Sequence, residues 1–251
     1  MRLMLGALVM LAVAWAGRAD AAEIKVLSAG AVRAVLVDVS DAFKQQTGHI
    51  IAASFGPVGV TRQKLATEPA DVVIMTDVAI DEAIPQGTVV AGTRTDIART
   101  GVGVGVREGA TKPDISTPEA LKQTLLAAKS LIYVDPAQGA TSGIHVASVL
   151  QRLGIADAVK SKTLLWPGGY VAEAVAKGEV EIVLHQISEI LPVKGVTLVG
   201  PLPKDLQKIT VYSAGLASKS EWAEAARAFI GYLVSAPVKA KFAQAGLDYR
   251  E

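Results

Sequence analysis

"IKVLSAGAVRAVLVDVSDAFKQQTGHIIAASFG", residues 24–56, holds an apolar run (Ile24 to Gly30), a helical stretch (Val32 to Thr47) and a second apolar run (Ile50 to Gly56). The two runs are near-continuously apolar and do not alternate with polar residues, as in strands buried on both faces. The same alternation continues with a helical stretch, Val60 to Thr67, and the run "DVVIMTD", Asp71 to Asp77. Strands of this kind separated by helices suit a parallel sheet covered on both sides, an α/β fold.

A second α/β set lies further along: "SLIYVDP" (Ser130 to Pro136), a helix from Ile144 to Leu153, "KTLLWPGG", a helix from Val171 to Lys177, and "EIVLHQ" (Glu181 to Gln186). Between the sets, "GVGVGVREG" from Gly101 alternates glycine and valine. It lacks G-x-G-x-x-G spacing and reads as a buried strand where backbones pass closely. Thr117 caps a helix with Pro118 at its first position and Glu119 in its first turn. "GPLPKDLQ" (Gly200 to Gln207) looks like a crossing segment, "KITVYSAGLA" (Lys208 to Ala217) a strand, and Glu221 to Ser235 an amphipathic helix before a last short one from Val238 to Ala245.

The first residues, "MRLMLGALVMLAVAWAGRADAAE", join Arg2, an apolar run and a small-residue site, which is the pattern of a secretory signal peptide over residues 1–21. No later run is long enough for a spanning helix, so no membrane insertion of the mature chain is expected. There is no cysteine, which excludes disulfides, and the fold must rest on core burial. A net charge of +1 with evenly spread Lys and Arg makes nucleic acid a poor partner.

Ligands of parallel α/β sheets sit beyond the carboxyl ends of the strands, where helix N-termini offer free N–H groups. Four junctions here are built of small residues: "SAGAV" (28–32), "FGPVGV" (55–60), "GATSG" (139–143) and "WPGGY" (166–170). They make Ser28, Ala29, Gly30, Gly59, Thr141, Ser142 and Gly143 candidate contacts to an anion, through hydroxyls and backbone amides. In "WPGGY" the glycines would let the backbone come close while Tyr170 turns its hydroxyl inward. Arg33, Arg62 and Arg94 could each grip a carboxylate with a planar fork. The bland alternatives stay open: helix caps for the serines, solvated surface charges for the arginines.

His185 ends an apolar strand where strand ends meet a cleft, and His145 lies in the first turn after "GATSG". His145 could face a ligand or simply the solvent, and a hydrogen-bonded core histidine is the alternative for His185. H-x-x-x-H and C-x-x-C spacings are missing, as is G-x-S-x-G, so neither a metal nor another cofactor is expected.

In order and spacing, "IKVLSAGAVRAVL", "FKQQTGHIIAASFGPVGV", "EPADVVIMTD", "YVDPAQGATSGIHVASVLQRLGI", "AVAKGEVEIVLHQISEI" and "GPLPKDLQKITVYSAGL" resemble the periplasmic molybdate-binding-protein-like family of bacterial solute-binding proteins. The resemblance covers nearly the whole mature chain. It implies a type II periplasmic binding protein fold, two α/β lobes joined by two crossover strands, with lobe 1 over residues 23–104 plus 211–251 and lobe 2 over 105–205. It further implies a periplasmic receptor that captures a small anion between its lobes, a molybdate-like oxyanion or an organic polycarboxylate, and delivers it to an ABC permease. Ser28 matches the family's first-loop serine and Tyr170 its second-lobe tyrosine. The serine-rich second loop of molybdate binders is replaced by Gly56-Pro57-Val58-Gly59, which loses a hydroxyl and an N–H donor. The wider family also includes proteins similar to aconitate isomerase, which interconverts cis- and trans-aconitate by a 1,3-proton shift without a cofactor. In that alternative the arginines would neutralise carboxylates and His185 or His145 would carry the proton near neutral pH, with Asp77 and Glu189, carboxylates of the strand-end and loop type usually found solvated, as other candidates for the base.

Overall fold

The computed structural model describes residues 21–248, so the leader read at residues 1–21 lies outside the described residues except for its last position. The first part of the chain forms β1 (Glu23–Ala29), α1 (Arg33–Thr47), β2 (Ile50–Gly56), α2 (Val58–Thr67), β3 (Val72–Thr76), α3 (Asp77–Ala83) and β4 (Thr95–Thr100). The middle forms β5 (Val102–Arg107), α4 (Pro118–Ala127), β6 (Leu131–Val134), α5 (Thr141–Arg152), α6 (Ala156–Lys160), β7 (Thr163–Trp166), α7 (Glu173–Ala176), β8 (Ile182–Gln186), α8 (Ile187–Ile190) and β9 (Val196–Pro201). The chain then returns through β10 (Thr210–Leu216) and closes with α9 (Ala223–Leu233) and α10 (Ala236–Gln244).

Two five-stranded sheets result, ordered β2-β1-β3-β10-β4 and β7-β6-β8-β5-β9. Each places its first local strand between its second and third, with a strand arriving from the other sheet next to the third. The local strands pair in parallel, β1 with β2 and β3, β6 with β7 and β8. The arriving strands β10 and β5 run antiparallel to their neighbours, so both sheets are mixed and not purely parallel. This is the two-lobed periplasmic-binding-protein architecture.

β5 lies wholly in the second sheet, so the chain changes sheets at Gly101 and not after residue 104. The Gln207 side chain fixes that crossing: its Oε1 accepts the Val102 N–H at 2.9 Å and its Nε2 donates to the Val102 carbonyl at 2.8 Å. A Cβ on Gly101 would meet this amide at 2.9 Å, which is why the crossing residue is glycine.

Successive strand residues face opposite sides of a sheet, so a fully apolar strand serves two cores. In β6, Leu131 and Tyr133 join one core with Val146 and Leu150 of α5, while Ile132 and Val134 join another with Val171 and Val175. The glycine–valine strand applies the same rule to closeness. Val102, Val104 and Val106 fill the first of these cores, and Gly103 and Gly105 leave the other face bare. A Cβ on Gly103 would stand 2.9 Å from Ile187, and one on Gly105 would stand 3.0 Å from Ile190 and 2.8 Å from Val183. The short helix α8 therefore lies directly on the β5 backbone.

Two local readings change. The helix expected from Ile144 starts at Thr141, because Gly143 has no Cβ and lets its first turn settle where a Cβ would be 2.1 Å from the Val134 carbonyl oxygen. The helix expected over Val171 to Lys177 shortens to Glu173–Ala176 after a turn in which Gly168 and Gly169 have φ of 139° and 81°. Among the described residues no helix is long and apolar enough to cross a membrane.

Candidate functional site

The carboxyl ends of β1, β2, β6 and β8 meet across the gap between the sheets. Residues from the four small-residue junctions and from α8 line a common cavity there. The lobes touch at its rim: the Gly59 N–H donates to the Gly139 carbonyl at 3.2 Å, and Pro57 packs where a Cβ on Gly168 would be 3.0 Å away. A Cβ on Gly59 would be 2.6 Å from the Gln138 carbonyl oxygen, so only glycine permits this approach. The cavity is about 30 Å³. That is room for a water or two, while small-molecule sites run to about 300 Å³ or more, so the lobes must part to admit a solute. Hollows of about 450 to 620 Å³ lie elsewhere, as open grooves that share no lining residue with this cavity.

Three buried polar side chains form a chain along the second-lobe wall. Ser142, in the first turn of α5, places its Oγ 3.1 Å from His185 Nδ1. On the other edge of the ring, Nε2 lies 3.4 Å from the Gly169 carbonyl oxygen and 3.5 Å from Glu189 Oε1. A carbonyl only accepts, so Nε2 carries the proton, and Nδ1 accepts from the Ser142 hydroxyl. His185 is 2 % exposed and Glu189 7 %. Burial pushes the Glu189 carboxyl above the usual carboxylate range, against the opposing pull of His185 and Arg33. A carboxylate so placed is a stronger base than one in water.

The first lobe completes the enclosure. Gly30 faces Glu189, and a Cβ there would stand 2.7 Å from Oε1, so the carboxyl occupies space that any other residue would fill. Arg33 has its guanidinium over the Phe55 ring, 4.9 Å from the centroid, and over the Tyr170 ring at 5.3 Å. Stacking leaves the in-plane N–H fork free to grip a carboxylate. Tyr212 of β10 lines the cavity, and burial holds its phenol far above the ordinary range, so it remains a donor.

Residues 24–248 match the family model described as bacterial extracellular solute-binding protein. The chain belongs to that family. It is 35% identical to an aconitate isomerase of a Pseudomonas species, over 98% of this chain and 95% of that protein. It is 31% identical to the molybdate-binding protein ModA of Azotobacter vinelandii, over 86% of this chain and 85% of that one. Among solved structures it is similar to a periplasmic molybdate-binding protein of Azotobacter vinelandii, with a TM-score of 0.76 at 19% identity, covering 91% of this chain and 100% of that one.

Of the candidate contacts, Ala29, Gly30, Arg33, Thr141, Ser142 and His185 line the cavity of this solute-binding fold. Several others are placed differently. The Ser28 side chain is fully buried and its hydroxyl donates to the Ala29 carbonyl at 3.0 Å, outside the cavity lining. Gly59 spends its N–H on the lobe contact, and Gly143 serves packing. Tyr170 stands at the mouth against Arg33, its ring and not its hydroxyl making the contact. Arg62 turns away along α2 to Glu82 at 2.5 Å, and Arg94 binds Asp81 at 2.6 Å and Asp96 at 3.1 Å; neither reaches the cleft. His145 points its Nε2 at the Leu206 carbonyl at 2.8 Å, on the side of α5 away from the cavity, and burial lowers its proton affinity. Asp77 opens α3 behind its Thr76 cap, its Oδ1 accepting the Val78 N–H at 2.8 Å. Glu189, read as a solvated loop carboxylate, is instead the buried acid of the site, and Gln186 and Tyr212 join it there. Among the described residues there is no cluster of metal-ligating side chains.

Proposed function

We propose that this protein is exported to the periplasm, takes a small organic polycarboxylate between its lobes and moves a proton from one of its carbons to another, as an aconitate isomerase does. The observation that carries this reading is Glu189, a buried carboxyl inside the cleft that receives the solute. A receptor for a doubly charged oxyanion gains nothing from it: two like charges 4 Å apart repel by about 4 kcal/mol at an effective dielectric of 20. A proton-transfer site needs such a group. The similarity to the isomerase, at 35% identity over 98% of this chain, points the same way.

In the reaction, the Glu189 carboxylate takes a proton from the methylene carbon of trans-aconitate. The released electron pair shifts the double bond toward that carbon and spreads into the neighbouring carboxylates. Arg33 faces that growing charge. The Glu189 carboxyl returns the proton to the former vinyl carbon, so one C–H bond breaks, another forms, and oxidation state is unchanged. His185 stands beside the carboxylate, its ring fixed by Ser142 at Nδ1 and by the Gly169 carbonyl at Nε2. Closure of the lobes excludes water while the intermediate exists. Purified protein incubated with trans-aconitate should yield cis-aconitate, read by chromatography; no conversion above the buffer control ends this reading.

A second reading, capture of an anion for an ABC permease without catalysis, is favoured by the first helical turns at Gly30 and Thr141 that line the cavity and by the molybdate-binding relative. Stabilisation by molybdate, with no turnover of aconitate, would decide for it.

A further inference from the structure

Gln186 ends β8 beside the crossing, paired with Val102 of β5. It is 1 % exposed and lines the cavity. Its Nε2 donates to the Tyr212 hydroxyl at 3.2 Å and to Thr210 Oγ1 at 3.4 Å, across to the first sheet. Its Oε1 is buried and has no partner among the described residues. An unmet buried acceptor is costly.

A side-chain amide offers a carbonyl on one side and an NH₂ group on the other, and hydroxyls can serve either. With the amide turned over, Oε1 accepts from the Thr210 and Tyr212 hydroxyls and the NH₂ group faces the space now held by the unmet oxygen. In that arrangement the unmet group is a donor, and an anionic oxygen satisfies it. Glu189 lines the same cavity as Arg33, Gln186 and Tyr212. The base therefore shares its enclosure with a cationic group from α1 and a neutral polar pair from β8 and β10.

We propose that Gln186 and Tyr212 form a second carboxylate-binding subsite at the floor of the cleft, so that the ligand is a di- or tricarboxylate whose end groups rest on Arg33 and on this pair, flanking the carbons that Glu189 serves. The proposal rests on the polycarboxylate reading above and deepens it.

The test is calorimetric titration with tricarballylate, the saturated tricarboxylate, which has no double bond to move and so reports binding without turnover. The parent protein should bind it; Gln186→Met, which removes the NH₂ donor, should weaken binding about ten- to a hundredfold, as for a lost hydrogen bond to a charged group, and Tyr212→Phe, which removes one of the two hydroxyls that hold the amide turned over, should weaken it severalfold. Tyr212→Phe removes a single oxygen and decides the matter alone if the Gln186 variant does not fold. Unchanged affinity in Tyr212→Phe, or in a folded Gln186→Met, overturns the subsite and leaves the polycarboxylate reading standing. No binding of tricarballylate to the parent protein removes both.

Discussion

Replacing Glu189 with Gln keeps the size of the side chain and removes its ability to take a proton. Two quantities separate in this variant. Stability at low pH should change by only about 1 kcal/mol, because there the raised proton affinity keeps the Glu189 carboxyl neutral and one neutral polar group replaces another. Proton transfer is not spared in this way, and loss of the base should lower kcat by about 10²- to 10⁴-fold, or about 3 to 5 kcal/mol of barrier. Affinity for the anionic substrate should hold or improve, because a repelling charge is gone. The pH dependence adds a sign. Since burial raises the folded-state proton affinity of Glu189, the unfolded chain loses its proton first, near the ordinary value of about 4.3. Above that pH the unfolded state binds fewer protons, so the stability this group contributes is lost as pH rises through its raised folded value. Glu189→Gln abolishes that slope and is relatively more stable in alkali, while parental kcat/KM should climb with pH over the same window. Thermal unfolding at several pH values and turnover of trans-aconitate read both; a kcat within threefold of the parent refutes the assignment.

Gly30→Ala places a Cβ 2.7 Å from Glu189 Oε1 and must displace the carboxyl, so turnover should drop at least tenfold while far-UV circular dichroism stays parental. Arg62→Gln and Arg94→Gln, each removing an exposed cation paired outside the cleft, should leave tricarballylate affinity unchanged and stability within about 1 kcal/mol; a clear loss of affinity would return these arginines to the site. Gly105→Ala crowds Val183 and Ile190 under α8, and denaturant unfolding should show a loss of about 1 to 3 kcal/mol, with turnover falling as Glu189 is lifted. An unaltered unfolding midpoint would mean that α8 does not rest on the β5 backbone.

The βαβ pattern of residues 24–56 was legible because period and length suffice to recognise buried strands and the helix between them. "GVGVGV" was legible as a closely approached strand, but not what approaches it, since α8 is four residues long and carries no periodic signal. That helix brings Glu189 into the cleft, so the acid's burial depends on Gly103, Gly105 and Gly30, three positions distant in sequence. β4 went unread because "TDIART" has four polar residues among its six, as an edge strand can afford. Arg62 and Arg94 misled because nearness to a helix mouth along the chain does not fix which way a long side chain turns; Glu82, Asp81 and Asp96 decide it. His185 was readable from its place at a strand end. The Ser142 hydroxyl that fixes its tautomer was readable only as a candidate anion donor or cap, because the two residues meet through β6 and β8 pairing.

The most direct measurement is a crystal structure of Glu189→Gln soaked with trans-aconitate, in which substrate is held but cannot turn over. The expected result is a carboxylate on the Arg33 guanidinium and the methylene carbon within about 3.5 Å of the residue-189 side chain, the reach of a reacting pair. A ligand seated elsewhere, or one that leaves residue 189 against protein alone with its reactive carbons turned away, would contradict the account.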